Sequence, residues 1–144
     1  MKNSLETIFR ILPHRYPFLM VDAIKSADAN EIRVIKNVSI NEQYFQGHFP
    51  DTPVMPGVMI LEGMFQTSGL HMGLYATGDT PGISFLSTVN RAKFHKIVEP
   101  GDQLLIVVCP GTRIGAVSQF TGKAYVEDTL VTEAAWTLTT VYKC

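Results

Sequence analysis

Between Gly57 and Tyr75 the chain runs nineteen residues with one formal charge, Glu62. Pro56, just before the run, suits the first position of a helix, where a missing N–H costs nothing. A helix apolar on nearly every side is a buried helix. The length alone would also suit a membrane span. Against that, Glu62, Gln66 and His71 are expensive in lipid, and no Lys or Arg closely flanks the run. The run also holds Gly57, Gly63, Gly69 and Gly73. Each costs about 1 kcal/mol in a helix interior relative to alanine. That cost implies close packing against the helix, as from a sheet curled around it.

The remaining segments read mostly as strands. Ser4 to Ile11, with Leu5, Ile8, Phe9 and then Leu12, has the spacing of a short amphipathic helix. Pro13 and Pro17 break it, because each fixes its own backbone and removes a donor. Phe18 to Lys25 is expected to be a strand, Asp28-Ala29-Asn30 a turn and Glu31 to Val38 a second strand. Gly47 to Pro53 is expected to be irregular. Beyond the long helix, Ile83 to Phe94, Gln103 to Cys109, Val117 to Val126 and Thr129 to Val141 are rich in β-branched and aromatic residues. Pro100-Gly101-Asp102 and Pro110-Gly111-Thr112 carry turn signals, and Glu127-Asp128 links the last two strands as a hairpin. This segregation of elements favours α+β with an antiparallel sheet over a doubly wound fold.

Totals narrow the function classes. A chain of 144 residues, 46% hydrophobic and 17% charged, suits one globular domain spanning residues 1–144. A net charge of -1 gives no reason to expect nucleic acid or an acidic membrane surface. Cys109 and Cys144 form no Cys-x-x-Cys pair, which argues against a zinc cluster or a redox dithiol. Two thiols without a disulfide framework, and no secretory pattern in Met1 to Arg10, suit the cytoplasm. No Gly-x-Ser-x-Gly, Gly-x-Gly-x-x-Gly or phosphate loop occurs.

The chemistry gathers between Gly47 and Gly69. His48 lies in a proline-bounded loop, and an unperturbed histidine titrates near neutrality, so this type of side chain can serve as base or acid. Glu62 stands alone in an apolar helix. Burial would raise its pKa, the nearby helix N-terminus would lower it, and sequence leaves the balance open. Gln66, four residues on, shares a face with Glu62 and can orient its carboxyl. Gly57 opens the helix, where backbone N–H groups lack intrahelical partners; without a side chain it would let a carbonyl approach. Gly57 and Glu62 are separated by about 7.5 Å along the axis and roughly 140° around it. One small substrate reaches both poorly on a single helix, but two helices side by side could share a site across a homodimer. The plain structural alternatives are a satisfied Glu62–Gln66 core pair and a loop-capping His48. Met55, Met59, Met64 and Met72 read as core filler. Arg91, Lys93 and Lys96 read as a solvated strand face, and His14, His71 and His95, lacking metal-ligand spacing, as structural.

Three linked motifs then identify a family: Gly47-His48-Phe49-Pro50, Pro53-Val54-Met55-Pro56-Gly57-Val58, and Leu61-Glu62-Gly63-Met64-Phe65-Gln66 with Gly69. Together they resemble the signature of the (3R)-hydroxyacyl-acyl-carrier-protein dehydratases of the FabZ type. Leu12-Pro13-His14-Arg15-Tyr16-Pro17-Phe18-Leu19 with Val21-Asp22 looks like the family's opening motif, and Val98 to Leu104 and Glu133-Ala134 match later ones. The resemblance covers nearly the whole chain. It implies a hot-dog fold, a long central helix wrapped by a curved antiparallel sheet. It also implies a homodimer, commonly assembled into a trimer of dimers or with a related subunit. It further implies elimination of water from a carrier-bound 3-hydroxyacyl thioester. His48 would be the base and Glu62 the acid, from different subunits. The Gly57 amide would polarise the thioester carbonyl, and Gln66 would orient Glu62. No metal or redox cofactor is implied; the partner is acyl carrier protein, with Arg91, Lys93 and Lys96 as candidate docking residues.

Three departures bear on substrate. Phe65 stands where the family usually has a small residue, Gly63 where alanine is usual, and Ala23 where a basic residue is common. Phe65, close to Glu62, is expected to line and reshape the acyl tunnel, which leaves open a specialised polyene or polyketide pathway. A sister branch that also isomerises carries aspartate at the glutamate position, so Glu62 favours simple dehydration. The competing classes are a hot-dog thioesterase, against which His48 in its motif argues, and a non-catalytic acyl-binding subunit, which would lack His48 or Glu62.

Overall fold

The computed structural model describes residues 4–75 and 82–142. Two helices, α1 (Ser4–Ile11) and α2 (Gly57–Tyr75), accompany six strands. These are β1 (Ala23–Asp28), β2 (Glu31–Asn37), β3 (Gly82–Phe94), β4 (Gln103–Ile114), β5 (Val117–Val126) and β6 (Thr129–Tyr142). They form one antiparallel sheet in the order β1-β2-β4-β5-β6-β3. The α+β hot-dog expectation therefore holds. Cys144 lies outside the described residues.

Sheet and helix share one core. Ile32 and Val34 of β2, Leu104, Ile106 and Val108 of β4, and Phe120 and Ala124 of β5 alternate inward, as a period-2 strand with one buried face requires. They meet Ile60, Leu61, Met64 and Leu70 of α2, and Trp136 of β6 is fully buried beside them. No helix among the described residues is long and apolar enough to cross a membrane.

Two strand expectations need correction. The segment 18–22 is not strand; β1 begins at Ala23. The Phe18 and Leu19 amides turn back onto Arg15 O, and the Met20 amide and Phe18 carbonyl bond the Gln66 side chain instead of a neighbouring strand. Pro110-Gly111-Thr112 is not the turn either. β4 continues through it to Ile114 with a register shift between Pro110 and Arg113, and the reversal comes at Gly115, whose φ is +60°. A proline is tolerated where a bulge relaxes the ladder. The turns at Gly101 (φ +100°) and Glu127 (φ +53°) stand as expected. The 3-10 turn Gln43–Gln46 carried no sequence expectation.

The helix glycines have two kinds of neighbour. A Cβ at Gly57 would come within 2.7 Å of the Phe94 ring on β3, and one at Gly63 within 3.0 Å of Ile106 on β4. Gly69 and Gly73 instead face the α1 end, Leu12 and Ile11 respectively. The close partner is thus the sheet for the first half of α2 and the other helix for the second. Alanine at either later position gains up to about 1 kcal/mol of helix propensity. At Gly73 the new methyl would overlap Ile11 Cγ2, whereas at Gly69 the nearest atom is 3.4 Å away. Overpacking of that kind costs on the order of 1–3 kcal/mol. In urea titrations Gly73→Ala should therefore lower stability while Gly69→Ala leaves it unchanged or raises it. Equal midpoints would contradict the α1–α2 packing described.

Candidate active site

His48 is held from two directions. Its backbone amide donates to Tyr44 O (3.1 Å), which ties it to the 3-10 turn. Its Nδ1 lies 2.8 Å from Val54 O, and Val54 N returns a bond to His48 O at 3.0 Å. A carbonyl only accepts, so Nδ1 carries the proton and Nε2 keeps a free lone pair. That is the tautomer of a base acting through Nε2. The 3-10 turn is itself anchored by Lys36, a residue 3% exposed, whose ammonium pairs with Glu42 and lies 3.8 Å from Asp22. Burial, with Glu42 and Asp22 nearby, pushes the Tyr44 phenol up from its usual pKa.

Glu62 sits on α2 among apolar neighbours, with its side chain one-fifth exposed. Gln66 Nε2 donates to its Oε1 (3.1 Å) and to Phe18 O (2.7 Å), while Gln66 Oε1 accepts from Met20 N (2.7 Å). The amide thus holds the carboxyl by a hydrogen bond and also fastens the loop before β1. Burial raises the Glu62 pKa above its usual value, opposed by the Gln66 bond, so on the question that sequence left open the shift is upward. Glu62, Phe65 and Gln66 line a cavity of about 590 Å³ that runs along α2 to Gly73. The Phe65 ring lies edge-on to Trp136, with centroids 5.2 Å apart.

Gly57 lines a different cavity, about 460 Å³, together with His48, Phe94 and Lys96. Within one chain the five expected site residues therefore fall into two groups: His48 with Gly57, and Glu62 with Phe65 and Gln66. The 590 Å³ cavity also includes His14, which was read as structural, with Nε2 3.8 Å from Glu62 Oε1. The reading of His71 as structural fits: its Nε2 donates to Asp28 O at 2.9 Å. His95 lies 3.7 Å from Glu133. Arg91, Lys93 and Lys96 are exposed, as a solvated face would be. Among the described residues no group of three or more His, Cys, Asp or Glu could hold a metal ion. Phe94, pressed on Gly57, was not singled out as a site residue by the sequence reading.

A carboxyl with a raised folded pKa binds more protons folded than unfolded, so its contribution makes stability fall as pH rises above the unfolded value. Glu62→Gln removes that penalty and should raise the melting temperature at pH 8, with the gain shrinking as pH drops toward about 4. Equal gain at both pH values, or a loss, would contradict the raised pKa.

Residues 12–135 match the FabA-like domain. A 3-hydroxyacyl-[acyl-carrier-protein] dehydratase FabZ of Desulfotalea psychrophila is 47% identical over 130 residues, covering 88% of this chain and 86% of the relative. The enzyme of the same name from Petrotoga mobilis is 50% identical over 102 residues, covering 71% and 72%. Among solved structures, a chain of the dehydratase heterocomplex ApeI:P from Xenorhabdus doucetiae superposes with a TM-score of 0.81 at 18% identity, covering 94% and 91%. A hypothetical thioesterase from Streptococcus pneumoniae, solved with coenzyme A, gives 0.63 at 14% identity, covering 83% and 85%. At such identities the superpositions establish the hot-dog fold and do not choose between activities. The family rests on sequence: this chain belongs to the FabA-like proteins and, within them, to the family of the FabZ dehydratases.

Proposed function

We propose that the chain is a 3-hydroxyacyl-[acyl-carrier-protein] dehydratase of fatty-acid biosynthesis, working as a homodimer with each site shared between two copies. Family membership supports the reaction. The observation that carries the shared site is the division of labour inside one chain. A base with a free Nε2 and a carboxyl whose pKa is raised by burial line separate cavities.

His48 Nε2 takes a proton from C2 of the thioester. The negative charge that develops on the thioester oxygen meets the amide of Gly57 at the start of α2, where N–H groups lack intrahelical acceptors. Glu62 gives its proton to the C3 hydroxyl. The C3–O bond breaks with its electron pair, water leaves and the C2–C3 double bond forms. Return of the proton from His48 to Glu62 through solvent restores the starting state. The chemistry calls for neither metal nor redox cofactor. The acyl chain would lie in the α2 cavity against Phe65. Lys96, at the mouth of the His48 cavity, and exposed Arg91 and Lys93 suit an acidic carrier.

The second copy has an attachment surface. β3 ends the sheet and, among the described residues, leaves an edge of thirteen residues without a neighbouring strand, with Ile83, Phe85, Leu86 and Val89 exposed along it. A long apolar edge of that kind is a template for pairing with another chain. Further assembly to a hexamer, and a cytoplasmic location, belong to the same reading.

The test is turnover of a 3-hydroxyacyl thioester on carrier protein, following the trans-2-enoyl product. Wild type should form it, while His48→Ala and Glu62→Gln, still folded, should each lose on the order of 10²–10⁴ in kcat. Release of free thiol without enoyl product would make the protein a thioesterase instead.

A further inference from the structure

Four titratable side chains line the Glu62 cavity: His14, Glu62, Arg113 and Tyr142. Arg113 donates to the Tyr142 hydroxyl at 3.2 Å, and Glu62 accepts from Gln66. His14 is different. Its Nδ1 is buried with no hydrogen-bond partner among the described residues, and its Nε2 stands 3.8 Å from Glu62 Oε1, just beyond a hydrogen bond.

The loop is fixed so that this imidazole cannot drift away. Arg15 bonds the carbonyls of Phe9, Leu12 and His14 at 3.0, 2.8 and 2.7 Å, and its guanidinium lies 4.5 Å over the Phe9 ring. Phe18 stacks near the His14 ring, with centroids 6.1 Å apart, and Gln66 clamps Phe18 and Met20 to α2. A buried ring nitrogen left unpaired carries an uncompensated desolvation cost. With no acceptor at Nδ1, the neutral ring gains most by holding its proton on Nε2, toward Glu62.

We infer that His14 is a positioning residue for the acid half of the dehydration, donating from Nε2 to Glu62 as that carboxyl loses its proton. The inference rests on the dehydratase reading. The proton leaves Glu62 for the C3 oxygen, the C3–O bond breaks and water departs. The carboxylate left behind then accepts from both His14 Nε2–H and the Gln66 amide, and His14 is not consumed. The donor must be neutral for this, since a charged imidazolium would hold Glu62 as carboxylate from the start. Burial and neighbouring Arg15 lower the His14 pKa, which keeps it neutral. The charged and titratable groups facing it are Arg15 on its own loop, Glu62 on α2, and Arg113 and Tyr142 across the cavity.

The experiment compares wild type, His14→Gln and His14→Phe on one 3-hydroxyacyl carrier thioester, measuring kcat and KM across pH, with folding checked by circular dichroism. His14→Phe fills the space without a donor. It should lose on the order of tenfold in kcat, less than the 10²–10³ of a donor that touches the reacting oxygen, with KM little changed. Losing the donor destabilises the Glu62 carboxylate, so the alkaline limb of the kcat profile should move to higher pH. His14→Gln, which keeps an N–H, should recover most of kcat and the wild-type limb. Should the phenylalanine variant fail to fold, His14→Asn, too short to reach Glu62, takes its place. Unchanged kcat and profile would overturn the inference, as would equal losses in both variants with an unmoved limb. Absence of turnover by wild type would count against the dehydratase reading itself.

Discussion

Gln66 is 2% exposed and uses both ends of its amide. One end receives the Met20 N–H; the other donates to Phe18 O and to Glu62. A carboxyl on the most apolar helix of the chain needs such a partner, because a buried polar group without one is costly. The same side chain holds the loop from Pro13 to Met20 against α2. That loop closes one wall of the cavity and brings His14 to Glu62. Losing the Gln66 bonds would release the loop and free the carboxyl together.

The rest of the site follows from how α2 is buried. Its first turns press on the sheet through Gly57 and Gly63, and its last turns press on α1 through Gly69 and Gly73. Glu62 therefore opens toward α1 and its loop, whereas Gly57 opens toward Phe94 and the His48 loop. A helix presents residues five apart on different sides, and this helix keeps the two halves of the chemistry apart. On the reading proposed here, a second copy joined through the β3 edge reunites them.

Much of this was legible from residue pattern. The bounds of α2 follow from Pro56 and from a charge-free run with one exception, and α1 from its periodic apolar residues. The family motif named His48, Gly57, Glu62 and Gln66 because it is long and its residue types are chemically specific. What was not legible depended on tertiary partners. Phe18 to Asp22 has strand-like residues, yet Phe18 O and Met20 N are taken by a glutamine more than forty residues away, and the Phe18 and Leu19 amides by Arg15 O. Pro110-Gly111 has the local chemistry of a turn, but cross-strand pairing carries β4 through it as a bulge. His14 reads as structural in sequence because it has no metal-ligand spacing to His71 or His95; its neighbour in space lies 48 positions on.

The most direct test of the central claim is to mix two inactive subunits. His48→Ala and Glu62→Gln proteins would be unfolded and refolded together, the mixed dimers verified by differently tagged chains, and dehydration measured. If each site takes its histidine from one copy and its glutamate from the other, a mixed dimer keeps one intact site. A statistical mixture should then recover about a quarter of wild-type activity. Mixed dimers that form and remain inactive would contradict the shared site.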